Sequence, residues 1–346
     1  MNNAFTLLST SPPKFSEAAA ARVLRDQYGI EGLLKVLVSE RDQNFFVEGT
    51  TGEAFVLKIA NSAEAVGVTD LQSAALLHVE KRDPDLLVPR VMRTLGGRTD
   101  ITIVGDDGRE HVARVLSWLV GTPLELAEPR PDNAAELGSI LARLGIALAD
   151  FEHPCSDHVL LWDLSHAGQL TAWLDYIENE SLREICKTHL RRFEEHTEPA
   201  LNKLRSQVIY NDLHSGNVVV DPNNSEIIAG VIDFGDIVRA PLVIDVGVAA
   251  AYLCDSGDDP LSRIVKFLRA YNCVQPLQRE ELELLYDLII TRNVMTLVIG
   301  NWRGAQYPEN QDYILSDASL ARLRIETLQS LGQRTVTDVF LKACLL

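Results

Sequence analysis

Apolar positions recur at two spacings along this chain, and the change from one to the other divides it into a strand-rich first third and a helical remainder. The segments FFVE (45–48) and AFVLKI (54–59) flank a turn at Thr50, Thr51 and Gly52, which predicts a β-hairpin. Residues 68–79 then place Leu71, Ala74, Ala75 and Val79 on one face of an amphipathic helix. The strand-like part ends at HVARVLSWLV (111–120), and Gly121, Thr122 and Pro123 mark the crossing. Beyond it, helices are predicted over 132–151, 168–179 and 182–204, the first with Leu137, Leu141, Leu144 and Leu148 along its buried stripe. Two further apolar windows, 243–254 and 284–299, are broken by Asp245, Asp287, Arg292 and Asn293, so they suit buried helices and not a bilayer span. The expected organisation is a loose arm over 1–14, a first lobe over 15–117, a connecting segment over 118–121 and a second lobe over 122–346.

One stretch carries chemistry. In VIYNDLHSGN (208–217) an apolar strand runs into Asp212, and four residues separate Asp212 from Asn217. A second apolar run turns at Asp221, Pro222, Asn223 and Asn224 into a third, 227–232, which ends at Asp233. A single hairpin therefore brings Asn217 and Asp233 to the same side of a site that Asp212 enters from the preceding loop. Phosphoryl transfer needs magnesium held on the phosphates and an acceptor hydroxyl oriented in line. An amide oxygen (Asn217) and a carboxylate (Asp233) suit magnesium, and Asp212, apart from the metal, can accept the hydroxyl proton. Any one of these residues alone reads as an ordinary turn residue; the ordered set with a hairpin between its halves does not.

The order D-x-x-x-x-N followed by D-F-G is the catalytic-loop signature of the protein-kinase-like fold. Over most of its length the chain resembles the aminoglycoside phosphotransferase and choline-kinase-like family of small-molecule kinases. The segments DQN (42–44), LKIA (57–60), DFGD (233–236) and NWR (301–303) look most like hydroxylysine kinases and their relatives. The resemblance implies an α+β, bilobal protein-kinase-like fold with a mostly β amino-terminal lobe and a mostly α carboxy-terminal lobe. It also implies magnesium with ATP or GTP as phosphate donor, and a small alcohol as acceptor. By the same resemblance Lys58 takes the place of the strand lysine that reaches the α- and β-phosphates, although a solvated lysine would give the same alternation. The backbone of 117–120 would meet the base, which puts Ser117, Trp118 and Leu119 at the nucleotide; Trp118 reads equally well as packing. Three departures stand out. The loop 39–44 lacks G-x-G-x-x-G, leaving Ser39, Arg41 and Asn44 as candidate phosphate donors or as a plain polar connection. Gln72 stands where a glutamate is expected to pair with the lysine, with Asp70 and Glu64 as nearby acids. Tyr210, Asn211 and Asp212 replace the family's His-Gly-Asp.

For the acceptor, the candidates are Asp236 and the segment from Arg292 through Trp302 and Arg303, expected between long helices. Arg303 can clamp a carboxylate through two parallel bonds; alternatively Arg292 and Arg303 pair with acids of the catalytic part. Asp245, an acid among apolar neighbours, reads as a brace for the catalytic loop or as a substrate contact. The formal charge of −17 over 346 residues argues against a nucleic-acid partner and suits a cationic or zwitterionic acceptor, with solubility as the plain alternative. Five scattered cysteines without a C-x-x-C pair read as reduced thiols. With no basic, apolar leader and no membrane span, the expected compartment is cytoplasmic. The expected function is magnesium-dependent phosphorylation of a small amino-bearing alcohol, most concretely a hydroxylysine-like amino acid. The alternatives are an aminoglycoside kinase, a choline- or homoserine-type kinase, and a catalytically silent nucleotide-binding module.

Overall fold

In the computed structural model, which describes residues 10–39, 41–128, 131–255, 257–308 and 311–345, the hairpin read from the sequence lies inside a larger sheet. Strands β1 (Gly32–Leu37), β2 (Gln43–Gly49), β3 (Ala54–Ile59), β4 (Val91–Met92), β5 (Ile101–Val104) and β6 (Glu110–Ser117) are all paired antiparallel. Their order is β1-β2-β3-β6-β4, with β5 also on β6. Gly52 closes the β2–β3 turn at φ 89°, a left-handed conformation that glycine adopts without steric cost. Strand alternation then sorts the side chains. Phe55, Leu57 and Ile59 of β3 join Phe45, Val47, Ala113 and Val115 in a core covered by α1 (Glu17–Val23) and the turn that follows it. Lys58 points to the opposite face, where its cross-strand neighbour is Arg114 and where α2 (Val66–Arg82) packs. Of the arm expected at 1–14, residues 1–9 lie outside the described residues, and the carbonyls of Thr10 and Ser11 accept from the Asn61 amide.

The crossing is fixed by close backbone approach. A β-carbon on Gly121 would lie 2.4 Å from the Val220 carbonyl oxygen, so glycine alone lets β7 (Thr122–Pro123) lie against β9 (Val218–Val220). β9 pairs in turn with β10 (Ile228–Val231), and β8 (Ser206–Ile209) pairs with β11 (Val238–Pro241). The helices are α3 (Ala134–Ala147), α4 (Glu180–Arg192), α5 (Glu198–Leu201), α6 (Leu242–Ala251), α7 (Ser262–Val274), α8 (Arg279–Gln306), α9 (Gln311–Ile314), α10 (Ala318–Leu331) and α11 (Gln333–Leu345). Every residue of α6 is buried, as its apolar sequence requires. Thus an antiparallel amino-terminal sheet meets a helical carboxy-terminal part. No helix of the described residues is long and apolar enough to cross a membrane, and all five cysteines are free.

Three expectations are corrected. Residues Leu164–Tyr176 wind as 3₁₀ turns and not as an α-helix over 168–179, and the buried Leu164, Ala167 and Leu170 recur at the three-residue period of that helix. The helix expected over 182–204 is not a uniform α-helix: it runs from Glu180 to Leu201 but widens into a π-turn (Phe193–Thr197) ahead of Pro199, whose missing N–H breaks the α-helical ladder. Arg292, Trp302 and Arg303 lie not between helices but within α8, which no proline interrupts and which opens on a capping box of Gln278 and Glu281.

Helices α3 and α7 meet through Gly138, where an added β-carbon would lie 2.2 Å from the Phe267 carbonyl oxygen. Gly138→Ala gains about 1 kcal/mol of helix propensity. Forcing the two backbones apart costs more, so the variant is expected to lose about 2 kcal/mol of unfolding free energy in a urea titration. A net gain would show that this contact is loose.

Candidate active site

The catalytic loop is held from below by α6. Asp245 accepts the backbone N–H of Tyr210 at 3.2 Å and of Asn211 at 2.8 Å. Burial pushes this carboxyl up to about 7. Asp245 is therefore a brace for the loop and not a substrate contact. Asn211 has φ 67°, and asparagine is among the few residues besides glycine that tolerate this left-handed region. That is why it can stand where the expected His-Gly-Asp pattern has glycine. Tyr210 is fully buried, its hydroxyl donates to the Ile232 carbonyl beside Asp233, and its ring meets Phe234 edge-on at 5.2 Å. Burial raises its pKa well above the usual phenol value, so it remains a donor and ties the catalytic loop to the segment after β10.

Both oxygens of Asp212 are fixed. Asn217 Nδ2 donates to Oδ2 at 2.7 Å and to the Asp212 carbonyl at 3.1 Å, and Arg292 Nη2 donates to Oδ1 at 3.0 Å. Arg292 reaches in from α8 with its side chain only 3% exposed, bonded also to the Trp162 carbonyl and the Tyr252 hydroxyl and lying over both rings. Of the two roles open to Arg292, pairing with an acid of the catalytic part is the one its position fits. His214, not singled out from sequence, places Nε2 3.6 Å from Asp212 Oδ2 while Nδ1 accepts from Gly216. Burial opposes its protonation, but the Asp212 carboxylate outweighs burial and raises its pKa. Its position two residues after Asp212 was the available signal.

Asp233, at φ 56°, sits in the same uncommon backbone region, a form of strain that clusters at functional sites. The Ile232 N–H donates to the Asn217 carbonyl at 2.9 Å, so the two candidate metal ligands are adjacent as the hairpin predicted. Lys58 Nζ lies 3.1 Å from Asp233 Oδ1, which also accepts the Gly235 N–H. The Lys58 ammonium is the main cause holding the Asp233 carboxyl down to about 2, with burial opposing and Arg41 assisting. Gln72 does not pair with Lys58. Its Oε1 accepts from Arg114 and its Nε2 donates to the Gly235 carbonyl at 3.1 Å. Asp70 is engaged by His153, and burial raises the pKa of Glu64 with Arg41 as its opposing charge. The acid that pairs with Lys58 is thus Asp233 itself. Arg41, expected at the phosphates, donates to Asp236 Oδ1 at 2.9 Å and bridges the loop after β1 to the segment after Asp233.

Lys58, Asp212, His214, Asn217, Asp233 and Arg292 line one cavity of about 1230 Å³ between the sheet and the helical part. Ser39, Asn44, Ser117, Trp118 and Leu119 line it on the sheet side. Ser117 N–H donates to the Arg90 carbonyl and its Oγ accepts the Arg90 N–H, and Trp118 N–H donates to the Ala54 carbonyl while its ring meets Phe46 edge-on at 4.8 Å, so both are already engaged in packing the crossing. Asn44 Oδ1 is buried without a partner among the described residues. On the helical side Arg292, Arg303, Arg324 and Tyr252 form the wall, whereas Trp302 stacks on Trp173 at 4.2 Å. No group of three or more His, Cys, Asp or Glu among the described residues can hold a metal by itself. Asn217, with its NH2 turned to Asp212, and Asp233, with one oxygen beyond Lys58, supply the oxygen pair that suits a magnesium ion otherwise ligated by phosphates and water.

Asp245 gives a pH signature of definite sign. Between the ordinary carboxylate pKa and about 7 the native protein keeps a proton that the unfolded chain has lost, so this group's contribution to stability is full at low pH and falls as pH rises to 7. Unfolding free energies of wild type and Asp245→Asn, compared from pH 5 to 8, should differ in slope by this term, a few kcal/mol in all. Parallel slopes would mean that the carboxyl titrates normally.

Known small-molecule kinases are similar to this chain in sequence and in fold. Hydroxylysine kinase of Mus musculus is 25% identical over 355 residues, covering 96% of this chain and 94% of that protein. Homoserine kinase of Methylobacillus flagellatus is 31% identical over 172 residues, about half of each chain (49% and 50%). Among solved structures, a microcompartment-associated aminopropanol kinase shares the fold with a TM-score of 0.73 at 18% identity, over 93% of this chain and 100% of that one. The family model described as phosphotransferase enzyme family, APH, matches residues 34–282, from β1 through the catalytic loop into α8, and the chain belongs to that family of small-molecule kinases.

Proposed function

We propose that this chain transfers the terminal phosphate of ATP or GTP, as its magnesium complex, to the hydroxyl of a small amino-bearing alcohol, most concretely a hydroxylysine-like amino acid. The observation that carries the reading is the pinned Asp212 carboxylate beside the Asn217–Asp233 pair, in a cavity whose far wall is rich in arginine. In this reading residues 15–117 are the nucleotide-binding lobe, 118–121 the hinge and 122–346 the catalytic and acceptor lobe. Backbone groups of 117–120 meet the base, and Ser39 and Asn44 donate to phosphates. Lys58 exchanges part of its contact with Asp233 for phosphate oxygens. Asn217 and Asp233 hold the magnesium, which when bound neutralises charge on the phosphates. Asp212, oriented by Asn217 and Arg292, takes the hydroxyl proton as the acceptor oxygen bonds to the phosphorus and the nucleoside diphosphate leaves. Arginine on the acceptor side suits a substrate with a carboxylate, and the similarity to hydroxylysine kinase along nearly the whole chain supports the same acceptor class.

The test is phosphate transfer from ATP or GTP across hydroxylysine, homoserine, choline, ethanolamine and an aminoglycoside. Turnover of hydroxylysine is the expected result; turnover of the aminoglycoside alone would replace the acceptor, and bound nucleotide without transfer to any alcohol would favour a silent module. Asp212→Asn is expected to lower kcat by about two to four orders of magnitude while nucleotide affinity stays within a few-fold. An unchanged rate would remove Asp212 from its role.

A further inference from the structure

We propose that Arg324 of α10 recognises the acceptor by binding its carboxylate, which makes the acceptor of this kinase an amino acid; the inference rests on the small-alcohol kinase reading above. The arginines that line the cavity differ in what holds them. Arg41 is on Asp236, Arg114 on Gln72 and Ser73, Arg263 between Asp132 and Asp255, and Arg292 on Asp212. Arg324 has no carboxylate within ion-pair distance among the described residues. Among the described residues its hydrogen bond is a long one, 3.5 Å from Nη2 to the Tyr252 carbonyl. Burial lowers its pKa, since the neighbouring Asp317 and Asp255 carboxylates do not offset the loss of water. A guanidinium taken partly out of water, with most of its donors unspent, is costly until an anion meets it. The planar fork of N–H groups matches a carboxylate through two parallel bonds.

Position identifies which ligand that anion belongs to. Arg324 and Arg292 share the Tyr252 ring, with their Cζ atoms 5.5 and 5.8 Å from its centroid. Arg292 is the arginine bonded to Asp212. Arg324 therefore lines the same cavity as Asp212 and is linked through one aromatic ring to the pair that positions the base. The nucleotide phosphates belong with Lys58 and Asp233, so an anion at Arg324 is carried by the acceptor. A molecule with its hydroxyl at Asp212 and its carboxylate at Arg324, joined by a short aliphatic chain, spans the two.

The test uses matched acceptors that differ only in the carboxylate: hydroxylysine against 1,5-diaminopentan-2-ol, and homoserine against 3-aminopropan-1-ol. Wild type is expected to favour the carboxylate-bearing member by about 100-fold in kcat/KM, the scale of a charge-assisted contact. Arg324→Gln should raise KM for that member by about the same factor, while KM for its decarboxylated partner and for nucleotide moves less than about twofold. Arg324→Lys keeps the charge but loses the fork and should fall between, which also covers a glutamine variant that folds poorly. Equal damage to both members of a pair would mean that Arg324 only supports Tyr252, and discrimination that survives Arg324→Gln but disappears in Arg303→Gln would move the role to Arg303; either overturns the inference alone. A wild type that phosphorylates neither amino acid, or only carboxylate-free alcohols, overturns the inference together with the amino-acid reading.

Discussion

Four carboxylates converge on this site, and the structure around it follows from the need to bring them together without mutual repulsion. Asp212, Asp233, Asp236 and Asp245 belong to one short stretch of an already acidic chain. Unpaired in a cleft, such a group would raise one another's pKa values and take up protons. Each is met by a different device. Arg292 comes from 80 residues away in α8, Lys58 from 175 away in β3 and Arg41 from 195 away in the loop after β1. Asp245 meets no cation among the described residues and is held by two backbone N–H groups with its pKa at about 7. Two of the cations thus come from the sheet and one from the longest helix, so the site is complete only when both parts of the fold are in place. Such pairs add little net stability because both partners lose water. Their effect is positional, and removing either partner strands a charge.

What could be read from the sequence was what is local. Asp212, Asn217 and Asp233 lie within one loop and one hairpin, and the turn between them was legible because Asp221 accepts the N–H groups of Asn223 and Asn224 as turn chemistry predicts. The β2–β3 alternation and the stripes of α2 and α3 were legible for the same reason, since each is a short-range period. The pairing partners were not. Nothing within the sequence near Arg292 distinguishes Asp212 from any other acid, and the stretch Leu164–Tyr176 has a spacing of apolar residues that serves a 3₁₀ turn and an α-helix alike. Arg324 was invisible because its significance lies in what does not meet it, and only the packing of α10 against Tyr252 reveals that.

Gln72 joins the two levels. It was expected on α2 where a kinase glutamate would reach the strand lysine, but its partner in the structure is Arg114, across the strand pair from Lys58. An amide accepts from Arg114 through one atom and donates to the Gly235 carbonyl through the other. A carboxylate at this position would satisfy the guanidinium but turn a second acceptor toward the Gly235 carbonyl, and it would compete with Asp233 for Lys58. With a neutral side chain there, the Lys58 ammonium is left to Asp233. The strand register and the segment after β10, and not the helix, then set where that lysine points.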